Sequence, residues 1–389
     1  MKDLVITRGK LITPARILPV GDLLIKSGKI VALGSSGTIE IPRDSILIDA
    51  NGLMVVPGFI DAHTHGGMGH DFMDSTPDEI RAVLRWLVST GVTTVLPTLA
   101  SAPFDEQIEM VTRLRKVKEN QLPGEAAIAG LHLEGPYLRM ERRGAQPEKA
   151  IRKPSVDEMK QLIEASGNNI RLVTLAPELT GALDLIGFLA KQGIVVSAGH
   201  SEASVSQIRE AVKAGLTRAA HLYNGMMPFS HRTPGIVGAV LTSDEIYAEL
   251  TLDGIHVDPV AAEVALRAKG LSRITLVTDA TQATGLGDGT YIRPGNRKII
   301  VKEGAARLES GNLAGSVLTM DQAVRNAVHL LHLPLTDAIA MASQVSAASL
   351  GLGKTKGTLA CGMDGDVVLL GKDLEISATI VAGEVIFQA

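Results

Sequence analysis

Only one of the 389 residues is a cysteine, Cys361. An intrachain disulfide is therefore excluded, as is any zinc or iron–sulfur centre built on several thiolates, and a reducing compartment is expected. Aromatic residues make up 3% of the chain, so the core must be aliphatic. No run approaches the roughly 18 apolar residues of a membrane span. Lys2, Asp3, Arg8, Lys10 and Arg16 interrupt the start of the chain too often for the apolar core of a signal peptide. A soluble, cytoplasmic protein is expected. An excess of charge of one sign is also lacking: Lys+Arg 38 against Asp+Glu 42 leaves −4. With no block of like charge, no nucleic-acid or membrane-surface partner is expected, and a small-molecule substrate is favoured.

What is present in quantity is glycine, 40 residues, beside 45% hydrophobic residues gathered in short runs. From Leu4 to about Val56 those runs read as β-strands joined by glycine turns, without helical period. From Gly58 onward, apolar strands such as those ending near Leu99, Leu133, Leu175, Ala198, Leu222, Leu252 and Thr278 alternate with amphipathic segments. Ser75-Thr76-Pro77 marks a helix start, and Ser155 with Glu158 spells a capping box. The segment from Gly357 to Phe387 returns to strands, with Asp364-Gly365 and Ala382-Gly383 as turns. β segments at both ends around βα repeats predict an α/β protein. Its core would be a (β/α)8 barrel over 57–352, beside a small discontinuous β-sandwich domain from 1–56 and 353–389. A doubly wound sheet is the alternative, but Gly-x-Gly-x-x-Gly after the first strand is missing.

Several histidines and acids fall where a strand runs out into a loop: His63 and His65, Glu134, His200, His221 and Asp279. Residues two apart on a strand share a face, so His63 and His65 would point together into the catalytic mouth of the barrel. The span from His63 to Asp279 leaves room for seven strand–helix steps of roughly 31 residues each. A lone His-x-His pair could merely satisfy buried hydrogen bonds. Matched strand ends argue instead for one cation site of nitrogen and oxygen donors, suited to zinc or iron. Asp279 is either a helix cap or a catalytic base, and a metal-activated water beside it favours the base. His132, one pleat deeper than Glu134, reads as a residue that supports the ligands from behind or simply packs. His70, His329 and His332 read as structural, and Lys153 and Lys160 as solvated.

Seven segments together resemble the amidohydrolase superfamily, and within it the deacetylases of N-acetylated amino-sugar 6-phosphates. They are Pro57-Gly58-Phe59-Ile60-Asp61-x-His63-x-His65-Gly66-Gly67, His132-Leu133-Glu134-Gly135-Pro136, Ala198-Gly199-His200-Ser201, His221-Leu222-Tyr223-Asn224, Asp253-Gly254-x-His256, Thr278-Asp279-Ala280 and Leu313-Ala314-Gly315-Ser316-x-Leu318-Thr319-Met320. The second and the last are specific to the deacetylase group, whereas His-x-His fits any amidohydrolase. The resemblance implies a homodimeric barrel enzyme that removes acetate from a phosphosugar of gluco or galacto configuration. Glu134, His200 and His221 would hold the main divalent metal, with a second at His63 and His65 bridged by Glu134. Asp279 would be general base and acid. Asn224, Gly225 and His256 would contact the sugar, and Arg232 would reach the phosphate in the neighbouring subunit. Gln146 stands where some members carry a substrate-contacting histidine, and Gly225 where alanine is frequent. A non-catalytic scaffold should have lost these ligands. A cyclic-amide hydrolase would need a lysine that the Glu134 strand end lacks.

Overall fold

Eight parallel strands form a barrel in sequence order: Phe59–Thr64, Val92–Leu99, Leu131–Glu134, Ile170–Leu175, Val195–Ala198, Arg218–Ala219, Tyr247–Leu250 and Ile274–Leu276. Each pairs with the next, and the eighth closes on the first. There the Asp279 N–H donates to His63 O and the His65 N–H to Ala280 O, both at 2.8 Å. This computed structural model describes residues 2–13, 16–294 and 297–389. No helix among them is long and apolar enough to cross a membrane.

Helices between the strands cover the barrel because their apolar residues recur at helical spacing. The helix Pro77–Leu87 buries Ile80, Val83, Leu84 and Leu87 on one face. Each such side chain contributes about 1.5–3 kcal/mol by leaving water. Its start is fixed by proline in the first turn and by a capping box in which Thr76 and Glu79 satisfy each other's backbone N–H. The expected box at Ser155 is half formed. Ser155 Oγ accepts the Glu158 N–H at 3.2 Å, but the Glu158 carboxylate is taken by Tyr137 and Arg152.

Inside the barrel the lower layer is apolar. Ile60, Ala62, Leu96, Leu172 and Val277 pack against Ala347 and Leu350, which close the end away from the catalytic mouth. Above it the interior turns polar. The first strand makes that change with a bulge, since Asp61 to Thr64 spans three steps opposite two from Val95 to Pro97. The extra residue breaks the alternation, so His63 faces inward although Ala62 already does.

Strands from both termini build one mixed sheet beside the barrel: Leu4–Ile12, Ile17–Lys26, Lys29–Ser35, Ile46–Asp49, Met54–Pro57, Val367–Leu370, Ile376–Val381 and Glu384–Gln388. It curls around its own core, in which Leu4, Ile25 and Ile30 share a cluster with Val367, Leu369 and Ile380. Ala382-Gly383 is a two-residue hairpin turn with φ of 48° and 81°. Asp364-Gly365 is not a hairpin turn as expected. It precedes the strand Val367–Leu370 and pairs instead with Gly28, in the Ser27-Gly28 turn, and with Lys29 just after it, the Gly365 N–H donating to Gly28 O.

Sequence reading did not anticipate a three-stranded antiparallel sheet, Gly289–Arg293, Arg297–Lys302 and Ala305–Leu308, inserted after the eighth barrel strand. Its Ile299, Val301 and Ala306 pack against Ala283, Ala314 and Ala145. The Arg297 guanidinium donates to Ala145 O. The insertion thus braces the loop that carries Gln146.

Candidate metal centre

Every ligand candidate sits at the carboxyl end of a strand. Glu134 ends the third strand and His63 lies in the first, while His200, His221 and Asp279 follow the fifth, sixth and eighth. Those last three have φ of 48°, 27° and 48°. Left-handed backbone costs a non-glycine residue about 1–3 kcal/mol, and such strain gathers where side chains must be aimed. The sixth strand ends at Ala219, short of the expected Leu222, because the chain turns there to present His221. Gly315 is required beside Asp279: at its φ of 67° a Cβ would lie 2.8 Å from Asp279 O. Its absence lets the Ser316 N–H donate to that carbonyl at 2.7 Å.

Glu134, His200 and His221 form one buried triad. Glu134 Oε1 lies 3.0 Å from each histidine Nε2, and the two Nε2 atoms are 3.1 Å apart. On the far side of each ring, Nδ1 meets a carbonyl oxygen, Arg142 O at 2.7 Å for His200 and Asn224 O at 2.9 Å for His221. A carbonyl only accepts, so each Nδ1 carries the proton and each Nε2 turns its lone pair inward. Two lone pairs and a carboxylate oxygen then face one another, an arrangement that repels unless a cation lies between. In a tetrahedral site with bonds of about 2.0–2.1 Å, ligand atoms are roughly 3.3 Å apart, close to this spacing.

His63, His65 and Asp279 form a second buried triad beside it. Asp279 Oδ1 is 3.7 Å from His63 Nε2 and 3.4 Å from His65 Nε2. Glu134 lies between the triads, Oε1 at 3.5 Å from His63 and Oε2 at 3.4 Å from His65. His63 Nε2 is buried without a hydrogen-bond partner among the described residues. Burial opposes a positive charge on His63, yet Glu249, Asp279 and Glu134 together push its pKa well above the usual value. Burial would raise Glu134 too, but the neighbouring His63 charge holds it well below the carboxylate range. Four carboxylates are buried at or beneath the site, Asp61, Glu134, Glu249 and Asp279, with one buried guanidinium, Arg218, paired to Glu249. The surplus of negative charge and the nitrogen and oxygen donors fit divalent cations.

One layer below, His132 lies between Thr98 Oγ1 at 3.1 Å and Thr174 Oγ1 at 2.8 Å. Burial and the neighbouring His63 push its pKa well below the usual value, so it stays neutral. His70, His329 and His332 do not line the pocket.

The triads open into a pocket of about 230 Å³ whose other walls include Gln146, Asn224, Gly225 and His256. Gln146 donates from Nε2 to Glu134 Oε2 at 2.5 Å and accepts the Ser101 N–H at 2.7 Å. Its side chain is therefore fixed against a metal-ligand candidate as well as facing the pocket. His256 Nδ1 is held by Asp253 Oδ2 at 2.6 Å. Arg232 is exposed and does not line this chain's own pocket. Sequence reading passed over Glu249 and Arg218, which lie directly under the site. The available signal was a charged residue inside an apolar strand, as in Tyr247–Leu250.

The amidohydrolase family profile matches residues 54–386. N-acetylglucosamine-6-phosphate deacetylase of Vibrio furnissii is 38% identical over 366 residues, 92% of this chain and 91% of that protein. N-acetylgalactosamine-6-phosphate deacetylase of Escherichia coli O157:H7 is 37% identical, covering 96% of this chain and 97% of its own. Among solved structures, N-acetyl-D-glucosamine-6-phosphate deacetylase of Mycobacterium smegmatis superposes with a TM-score of 0.92. It is an aspartate-to-alanine variant in complex with N-acetyl-D-glucosamine-6-phosphate, 35% identical and covering 100% of both chains.

Proposed function

The chain belongs to the amidohydrolase family and groups with its N-acetylglucosamine-6-phosphate deacetylases, and from that premise we propose how its residues divide the work. The activity is hydrolysis of the acetamide of N-acetylglucosamine 6-phosphate to glucosamine 6-phosphate and acetate. One observation carries the site reading: the His200, His221 and Glu134 donors converge at 3.0–3.1 Å with each Nδ1 proton committed to a carbonyl.

Glu134, His200 and His221 would hold the main divalent cation, zinc or iron by donor type, and His63, His65 and Asp279 a second next to it. When bound, such a cation lowers the pKa of water to about 7 and polarises the amide carbonyl. Asp279 accepts the proton of the attacking water and returns it to the departing amine nitrogen. Burial pushes its carboxyl up, but His63 and His65 bring it down to about 2, so it is ionised before the water arrives. His256 is oriented by Asp253 with Nε2 left for the sugar. Asn224 and Gly225 contact the sugar from the loop after the sixth strand, and Gln146 closes the opposite wall.

The exposed Arg232 serves the phosphate bound in a second copy of the chain, which makes a homodimer the functional unit. An ionic hydrogen bond of that kind contributes about 1.5–3 kcal/mol. Arg232→Ala is expected to shrink the preference for phosphorylated over unphosphorylated N-acetylglucosamine by roughly 10- to 100-fold, with turnover of the unphosphorylated sugar unchanged. Acetate release from both sugars and from N-acetylgalactosamine 6-phosphate measures this together with the epimer preference. An unaltered phosphate preference rejects the arginine's role. Equal rates on both phosphosugars reject a gluco-specific enzyme.

A further inference from the structure

A line of buried polar contacts runs from the closed end of the barrel up to the second triad. Ser349, in the helix Gln344–Ser349 at the closed end, accepts a hydrogen bond from Arg218 Nη1. Arg218 Nη2 donates to Glu249 Oε1 at 2.8 Å. Glu249 Oε2 in turn accepts His63 Nδ1–H at 2.9 Å. The Arg218 and Glu249 side chains are fully buried, so the pair bears the whole cost of leaving water and is an expensive way merely to fill space. A carboxylate only accepts, so contact with Glu249 keeps a ring proton of His63 on Nδ1 and makes Nε2, which faces Glu134 and Asp279, the atom that would take a cation.

The two triads differ in what orients their rings. His200 and His221 rest on backbone carbonyls, Arg142 O and Asn224 O. His63 Nδ1 rests on a carboxylate side chain that also pairs with the Arg218 guanidinium. Glu249 also accepts the His221 backbone N–H at 3.2 Å, but that contact leaves the His221 ring to Asn224.

We propose that Glu249, hydrogen-bonded between Arg218 and His63, is a positioning residue for the second cation, and that this pair sets whether the chain holds one cation or two. The role rests on the two-cation reading above. It makes His63 a more basic, pre-oriented ligand while leaving the Glu134, His200 and His221 site independent. Partners of this kind typically change metal affinity 10- to 100-fold.

The test is titration of the chelator-stripped full-length protein with Zn²⁺ against a competing chelator, reading affinity and stoichiometry without substrate. The wild type should take up two cations per chain in two steps. Glu249→Gln with Arg218→Met removes both charges, so no unpaired ion is left in the interior if the single Glu249→Gln does not fold. In the double variant the weaker step should lose 10- to 100-fold in affinity while the tighter step stays within about threefold. Arg218→Lys, which keeps a cation against Glu249, should retain two steps. Two unchanged steps in the double variant, or equal weakening of both, would overturn the positioning role and leave the two-cation reading standing. A single step in the wild type would overturn that reading, and this role with it.

Discussion

Asp279→Asn is expected to lower kcat by 10²–10⁴ while the cation at Glu134, His200 and His221 stays bound, because general acid–base groups supply rate factors of that size. The substitution preserves shape and removes both the ability to take a proton and the negative charge offered to the second cation. The main-chain hydrogen bonds that place the residue, from its own N–H to His63 O and from the Ser316 N–H to its carbonyl, are untouched. The fold and the neighbouring triad, to which Asp279 does not belong, should therefore persist. Single-turnover acetate release with elemental analysis of the same preparation measures both quantities. A rate within about tenfold of wild type would remove Asp279 from the proton-transfer role.

Glu134→Ala should have the larger effect, since this carboxylate lies between both triads. Oε1 is 3.0 Å from His200 and His221, and Oε2 is 3.4 Å from His65. Its loss removes the shared negative charge and leaves two histidines at one site, and two histidines with Asp279 at the other, to hold neighbouring like-charged cations. Both cations are expected to fall below stoichiometric occupancy at micromolar concentration. The rate should drop by 10³ or more, equivalent to about 4 kcal/mol of transition-state stabilisation. Elemental analysis after gel filtration, beside the steady-state rate, reads the outcome. Full occupancy in the variant would show that Glu134 is not a ligand.

The site was readable where chemistry lies at strand ends. His63, His65, Glu134, His200, His221 and Asp279 each close a β run, and a parallel barrel gathers such ends at one mouth. The fold was readable for the same reason, since apolar runs and amphipathic segments alternate at a regular interval. Residues that act from one layer deeper were hidden. Glu249 and Arg218 lie within short strands among apolar neighbours, and nothing local says that one pairs with the other across adjacent strands. The inserted three-stranded sheet had a period-2 signal: Ile299 and Val301 are buried while Lys298, Ile300 and Lys302 are exposed. Its Glu303-Gly304 turn, with φ of 51° and 76°, has the form of a two-residue hairpin. The expectation of another helix after the eighth strand masked it. The exact extent of strands was also beyond sequence reading, because the sixth ends where left-handed backbone begins at His221.

The central claim is that distant strand ends assemble a site whose cations make water attack an acetamide. Its most direct test is the rate of acetate release from N-acetylglucosamine 6-phosphate by protein stripped of metal to below a few per cent occupancy. Turnover should fall to background and return on adding one to two equivalents of Zn²⁺ or Fe²⁺ per chain. Undiminished turnover by verified metal-free protein would contradict the account.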